Sequence, residues 1–283
     1  MIVTRFAPSP TGALHLGHAY SAVRAHDLAR AAQGRFLLRI DDIDGARSRR
    51  EHVDALLADL AWLGLAHDGD PLFQSARLPL YRAALDDLRG RGLLYPCFCT
   101  RADIAASLTA PHGPAGPLYP GTCRHIAADE AAARMTSDAH CWRIALDRAA
   151  DAAGPLAADM DGVMTPLDAR GHGDVVLARK DAPASYHLAS SVDDGAMGVS
   201  DVMRGMDLRD ATAIHVLLAT LLGLPVPRYH HHPLVAGDDG LRLAKRDAAA
   251  SLSAMRTAGV DGRALAAQLR AQRLPSGYSL TSV

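Results

Sequence analysis

The chain has 283 residues, 49% of them apolar and 22% charged, which suffices for one large domain or two modest ones and excludes a disordered chain as the default. A net charge of −1 excludes nucleic-acid wrapping through overall basicity, so RNA contact would need local patches such as Arg47, Arg49 and Arg50, unless these are only a solvated helix face. The opening Met-Ile-Val-Thr-Arg-Phe is no signal peptide and no apolar run is long enough to span a membrane, so a cytoplasmic protein is expected, whose four cysteines suggest a metal site or free thiols before disulfides.

In chain order, Ile2 to Phe6 reads as a short buried strand. Two prolines and a glycine in Ala7-Pro8-Ser9-Pro10-Thr11-Gly12 force a turn. Leu14 to Ala32 is expected as a helix burying Leu16, Ala19, Val23 and Leu28, and Phe36 to Ile40 as the next strand, which completes a βαβ unit. Arg49–Leu63 and Leu78–Arg91 are amphipathic helices around a turn at Asp68-Gly69-Asp70-Pro71. From Pro96 to about Arg124 the composition changes to cysteines and prolines, as in a small inserted module. Trp142–Leu146 and Asp174–Ala178 are expected strands, and Tyr186–Val192 is a helix start or a strand. Asp210–Leu222 is a strong helix stopped by Gly223 and Pro225. Leu234-Val235 is a short strand, 237–240 a turn, Val260–Gln272 a last helix, and the chain from Pro275 onward is expected to fray.

His15-Leu16-Gly17-His18 follows the proline-glycine turn at the first turn of a helix, where free N–H groups and the helix dipole favour an anion. Histidines three apart share a face and can both donate to phosphate oxygens, and Gly17 lets a nucleotide ring approach the backbone. Taken alone, such a pair is more often a satisfied surface or core pair.

The whole run Arg5-Phe6-Ala7-Pro8-Ser9-Pro10-Thr11-Gly12-Ala13-Leu14-His15-Leu16-Gly17-His18 resembles the signature of class I aminoacyl-tRNA synthetases, in the form used for glutamate and glutamine. The resemblance implies that His15, Gly17 and His18 bind ATP, and that the two histidines stabilise its phosphates as a carboxylate oxygen attacks the α-phosphorus. Arg242-Leu243-Ala244-Lys245-Arg246 resembles that class's second signature, a lysine loop. Lys245 keeps the ammonium for the leaving pyrophosphate, whereas Arg242 and Ala244 depart from the usual lysine and serine.

A glutamate pocket needs guanidinium groups for two carboxylates and a carboxylate for the ammonium. Arg5 ends the first strand, and Asp41, Asp42 and Asp44 follow the second, where α/β sheets place ligands. As bare residues these aspartates are more often loop or helix caps. By resemblance Arg5, Ala7, Ser9, Asp41, Tyr186 and Arg204 bind glutamate. Asp41 would hold the ammonium, one methylene shorter than the glutamate the family carries there. Arg204, in Arg204-Gly205-Met206-Asp207-Leu208, would pair with the side-chain carboxylate and so disfavour the amide of glutamine. Tyr186 reads equally well as a core aromatic. The run His230-His231-His232 is not expected to form one metal site, because adjacent residues do not share a face.

Cys97-Phe98-Cys99 and Cys123 offer three thiolates, and tetrahedral zinc needs a fourth ligand from Tyr119, His125, His112 or Cys141. Spacing alone leaves zinc level with free buried thiols. The stretch resembles the zinc module of glutamyl-queuosine tRNA(Asp) synthetases, shortened paralogues of glutamyl-tRNA synthetases, and that resemblance implies a structural Zn²⁺ on Cys97, Cys99, Tyr119 and Cys123, with Cys141 free.

The expected architecture is α/β: a Rossmann-like nucleotide-binding domain with a parallel sheet, split by an inserted zinc-bearing α+β module and ending in a C-terminal helical segment. Residues 1–95 and 183–235 are expected as the catalytic halves, 96–182 as the insert, and 236–283 as the lysine loop with a short helical segment too small for an anticodon-binding half. The resemblance implies ATP with Mg²⁺, L-glutamate, and transfer to the queuosine base of tRNA(Asp), by a monomer that needs no tRNA for activation. A truncated enzyme charging a tRNA 3′ end, and a catalytically silent RNA-binding module, are the competing readings.

Overall fold

The computed structural model describes residues 1–106, 112–113, 116–180, 182–237, 243 and 251–281. The chain divides into two compact units, one of residues 1–76, 199–209 and 227–283, the other of 77–198 and 210–226.

The first unit is built on parallel strands. β1 (Val3–Phe6) pairs with β2 (Arg35–Ile40), with Val3 opposite Arg35 and Phe6 opposite Leu38, and β2 pairs in turn with the short β3 (Leu72–Phe73). Every residue of β1 is buried, as expected of a strand covered on both faces. On the other side of β1, the Ser200 N–H donates to the Val3 carbonyl at 3.0 Å, bringing in β11 (Asp201–Gly205), which pairs in parallel with β12 (Arg228–His232). Between β1 and β2 runs α1 (Leu16–Ala31), burying Leu16, Ala19, Tyr20, Val23 and Ala29, while Leu28 is only half-buried.

α2 (Arg50–Leu63) ends where Gly64 takes a left-handed φ of 74°. α9 (Leu252–Thr257) and α10 (Gly262–Arg270) add Leu252, Leu265 and Leu269 to the same apolar core as Phe36, Leu38, Leu56 and Leu60. The chain from Pro275 to Thr281 does not fray. β14 (Tyr278–Thr281) pairs antiparallel with β13 (Leu234–Gly237), and Tyr278 and Leu280 pack on that core. The segment reads as polar, but its half-buried alternate residues and long-range ladder hold it.

The second unit contains an antiparallel sheet of β4 (Leu94–Cys97), β7 (Cys141–Ile144) and β10 (Val176–Ala178), in the order β10-β7-β4. The expected strand at Trp142–Leu146 ends two residues early, because Leu146 already starts α6 (Leu146–Ala153). α3 (Leu78–Gly90), α7 (Tyr186–Ala196) and the almost wholly buried α8 (Thr212–Leu221) complete the helical side, so the ambiguous segment from Tyr186 is a helix. The short α4 (Arg101–Ala106), β5 (His112–Gly113) and β6 (Gly116–Pro117) precede α5 (Ala128–Ser137). β8 (Leu156–Met160) and β9 (Val163–Leu167) form a hairpin whose two turn residues, Asp161 and Gly162, both have positive φ. Among the described residues, no helix is long and apolar enough to cross a membrane.

Candidate active site and metal centre

The turn after β1 is fixed by backbone bonds. The Asp41 N–H donates to the Pro8 carbonyl at 3.0 Å and the Arg49 N–H to the Pro10 carbonyl at 3.3 Å, so the proline turn lies against the carboxyl end of β2. The next element, α1, has an unusual cap. His15 is the N-cap residue: its Nδ1 accepts from the Gly17 N–H, while the His15 N–H donates to His18 Nδ1, each at 3.1 Å. The pair thus does the work of a capping box, usually done by Ser or Thr with Glu or Gln. Because both Nδ1 atoms accept, the neutral rings carry their protons on Nε2, the tautomer able to donate to an anion at the helix start. The two ring centroids are 3.8 Å apart. A Cβ on Gly17 would come within 3.1 Å of the His15 ring, so here the glycine accommodates the histidine itself.

Other expected residues lie at neighbouring strand ends in the same unit. Arg5 is buried near the end of β1, and Arg204 near the end of β11. Arg204 donates through Nε to His231 Nε2 at 3.4 Å, and its guanidinium lies 4.9 Å from the centre of the Tyr229 ring. Gly205 leaves room for Asp207, whose Oδ1 would lie 2.4 Å from a Cβ there. Ala7 is half-buried and Ser9 exposed in the proline turn. Asp41 is held by Arg39, whose Nε donates to one carboxylate oxygen at 2.7 Å and whose Nη2 donates to the other at 3.4 Å. Arg39 is fully buried, an arginine inside a parallel sheet whose role nothing in its immediate sequence signals.

The three consecutive histidines have three different partners. His230 pairs with Asp201 at 2.9 Å, His231 accepts from Arg204, and His232 sits by the Pro233 carbonyl at 2.8 Å and edge-on to Tyr20. Burial holds the His232 imidazole below its ordinary pKa.

Lys245, with Arg242 and Ala244, lies outside the described residues, as does the expected turn at 238–240. The residues flanking that segment are fixed. The Leu243 N–H donates to the Val235 carbonyl at 3.3 Å, the Leu252 N–H donates to the Leu14 carbonyl at 2.8 Å, and Ser251 bridges to His15. Behind this contact, Asp59 of α2 faces Arg256 of α9 at 3.3 Å, with only 1% of its side chain exposed. Burial raises the Asp59 carboxyl to about 6 despite that arginine. Sequence reading missed both features, since each depends on helices far apart in the chain.

In the second unit Tyr186 opens α7 and is 41% exposed, its ring 5.3 Å from that of His215, which in turn lies 3.2 Å from His187. It is therefore not the core aromatic it might have been. Deeper in the same helix, Asp193 is fully buried between the Arg77 guanidinium at 2.6 Å and the Tyr81 hydroxyl at 2.7 Å.

Cys97, Cys99 and Cys123 converge, their sulfur atoms all within 4.8 Å of one another. Cys99 and Cys123 are 3.5 Å apart, and the Tyr119 hydroxyl oxygen lies 3.4 Å from Cys97 Sγ and 3.7 Å from Cys99 Sγ. Around a tetrahedral zinc, sulfurs stand ~3.8 Å apart and an oxygen ~3.5 Å from each sulfur, so three thiols and this phenol fit the ion. The Tyr119 oxygen also accepts the Cys123 N–H at 2.8 Å, and the Arg143 guanidinium lies 3.8 Å from the centre of its ring. Cys141 stands opposite Cys97 in the β4–β7 register and outside the converging three, and a hydrogen bond between the two free thiols lowers the Cys97 pKa and raises that of Cys141. His125 is exposed, and the His112 side chain lies outside the described residues.

Asp174 anchors the loop that carries Cys123. It accepts from the Tyr95 hydroxyl at 2.5 Å, from Arg124 at 2.6 Å and from the Leu146 N–H at 2.9 Å, and Arg124 also reaches Asp147 at 2.8 Å.

The class I tRNA synthetase (E and Q) catalytic-domain family matches residues 1–274, and the chain belongs to it. Curated relatives are named glutamyl-Q tRNA(Asp) synthetase. The protein of that name from Rhodobacter capsulatus is 50% identical over 268 residues, covering 91% of this chain and 96% of the relative. One from Symbiobacterium thermophilum is 46% identical over 270 residues, covering 92% of this chain and 82% of the relative. Among solved structures, a glutamate-tRNA synthetase from Elizabethkingia anophelis superposes with a TM-score of 0.72 at 25% identity, over 87% of this chain. The chain spans about half of that protein, 53% of its length.

Proposed function

We propose that this protein activates L-glutamate with ATP, without needing tRNA, and transfers the glutamyl group to the queuosine base at the wobble position of tRNA(Asp). What chiefly supports this is coverage. A relative named for that reaction is matched over 96% of its length, whereas the similar glutamate-tRNA synthetase is matched over 53% of its own. The reaction is a class I activation: a carboxylate oxygen of glutamate attacks the α-phosphorus of ATP, and pyrophosphate leaves.

His15 and His18 donate from Nε2 to the phosphates, where negative charge builds at the start of α1. Lys245 neutralises the departing pyrophosphate, and Mg²⁺ accompanies ATP. Arg5 and Arg204 bind the two carboxylates, with Ala7, Ser9 and Tyr186 completing the glutamate site, and Asp41 takes the ammonium. Arg39 fixes the Asp41 carboxylate, which suits a shorter side chain that must reach the ammonium from a set position. A structural Zn²⁺ on Cys97, Cys99, Tyr119 and Cys123 would cross-link the loop to the end of β4. We place the protein in the cytoplasm as a monomer.

Glutamate-dependent exchange of pyrophosphate into ATP is expected without RNA present, and its absence would overturn tRNA-independent activation. Labelled glutamate should pass to queuosine-containing tRNA(Asp) and not to the unmodified transcript. Equal labelling of both would favour charging of a 3′ end.

A further inference from the structure

We propose that a groove in the second unit, beside Trp142, seats an unstacked nucleotide of the RNA substrate. This rests on the reading of the protein as an enzyme acting on RNA, and it assigns a contact which that reading leaves open. The groove has a volume of about 380 Å³ and is lined by Arg82 and Arg89 of α3, His140 and Trp142 at β7, and Arg179 after β10. Arg82, Arg89 and Arg179 are exposed, and the acid among the lining residues is Asp86, 3.6 Å from Arg89. In a chain whose net charge is −1, this is a local excess of positive charge around an aromatic ring.

The rings and cations are arranged in a row. Arg89 lies 5.3 Å from the centre of the Trp142 ring, His140 meets Trp142 edge-on at 5.5 Å, Phe98 is 5.8 Å from His140, and Arg134 lies 4.2 Å from the Phe98 ring. Three rings with a guanidinium at each end suit a single-stranded nucleic acid: half-buried Trp142 offers a flat surface for one base and the exposed arginines a positive charge for its phosphates, while Phe98, buried in the core, ends the row. A guanidinium already stacked on a tryptophan offers a further plane for a base. The row also has a rigid base. Pro96 stands opposite Trp142, and Cys97 opposite Cys141, so the strand pair that joins the cysteines also presents the rings. A duplex, whose bases are stacked inside, has nothing to offer this surface beyond its phosphates.

The test uses the full-length protein, fluorescein-labelled queuosine tRNA(Asp) and three variants: Trp142→Ala, Arg89→Ala and the exposed pair Arg82→Glu with Arg179→Glu. Fluorescence anisotropy should show Kd for the tRNA rising about tenfold for Trp142→Ala, the equivalent of one lost stacked base. The charge-reversal pair should weaken binding and flatten its dependence on salt. Glutamate-dependent pyrophosphate exchange should be unchanged throughout, and in transfer assays KM for tRNA should rise while kcat holds. A single-stranded oligoribonucleotide should compete for the groove, and duplex RNA or heparin at equal charge should compete much less.

Unchanged Kd in both the Trp142 and the charge-reversal variants would overturn the proposal. So would equal competition by heparin, which would reduce the groove to a charged patch, or exchange activity falling in step with binding in all three variants. The binding measurement does not depend on catalysis. A wild-type protein that binds tRNA through this groove yet fails to glutamylate queuosine would refute the proposed function and leave the groove standing.

Discussion

The phosphate turn and the cysteine centre are built in opposite ways. In the first, His15, Gly17 and His18 lie within four residues, and the backbone bonds that hold them are made mostly by their own neighbours. In the second, Cys97 ends β4, whereas Tyr119 and Cys123 lie in a later loop that Asp174 ties to β4 through Arg124 and Tyr95. Substitutions at the turn should therefore disturb chemistry and leave the fold intact. Substitutions at the cysteines should disturb the fold first.

The largest separation is expected from His18→Ala. Loss of a donor to the developing charge should lower kcat for pyrophosphate exchange about 10²- to 10³-fold, with little change in Tm. A smaller kinetic loss accompanied by unfolding would show that the cap, not the chemistry, is the residue's main task. The converse case is Cys123→Ala. On the proposed ligand set, metal analysis should find zinc in the wild type and none in Cys123→Ala, with several kcal/mol of stability lost in the second unit, whereas Cys141→Ala should keep one zinc. Loss of metal from Cys141→Ala would show that the ligand set is wrong.

Asp59 provides a subtler probe of the first unit. Its folded pKa of about 6 lies above the ordinary aspartate value of 3.8, so the folded protein binds the extra proton between them. Stability from this group is thus present below pH 4 and is lost as pH rises through about 6. Replacement by Asn should remove that slope, and urea titrations at pH 4 and pH 7 should show the wild type losing on the order of 2 kcal/mol relative to the variant. A difference that does not change with pH would mean that Asp59 is ionised in both states. The smallest effect belongs to Ser251, whose hydroxyl accepts the Ala254 N–H at the start of α9. Ser251→Ala should cost ~1 kcal/mol in thermal melts. The bridge to His15 is made by backbone and survives this change, so KM for ATP should hold, and a rise would indicate that the cap of α9 helps fix the phosphate turn.

This contrast also explains what could be read from the sequence. The strand, turn and helix around His15 were legible because periodicity and turn residues are local, and the full signature run left few alternatives. The parallel pairing of β1 with β2 followed from the βαβ pattern. The three thiols were legible as donors, but Tyr119 came from a family resemblance, because nothing local distinguishes a tyrosine ligand from a core tyrosine. The hairpin at Asp161-Gly162 carries a local signal, an Asp-Gly pair between two short strands. No comparable signal marked β14, the Arg39–Asp41 pair or the Asp59–Arg256 contact. Each joins residues whose meaning lies in what stands opposite them, and a linear chain does not state its opposites.

Asp174 has a consequence for how the second unit comes apart. One carboxylate joins the end of the cysteine loop to a strand through Tyr95 and to the first turn of α6 through the Leu146 N–H. Disorder that starts at the cysteines therefore has no natural stopping point within the loop. It should spread into helix and sheet together, so that removal of the proposed zinc and loss of the second unit's share of far-ultraviolet circular dichroism follow a single curve rather than two.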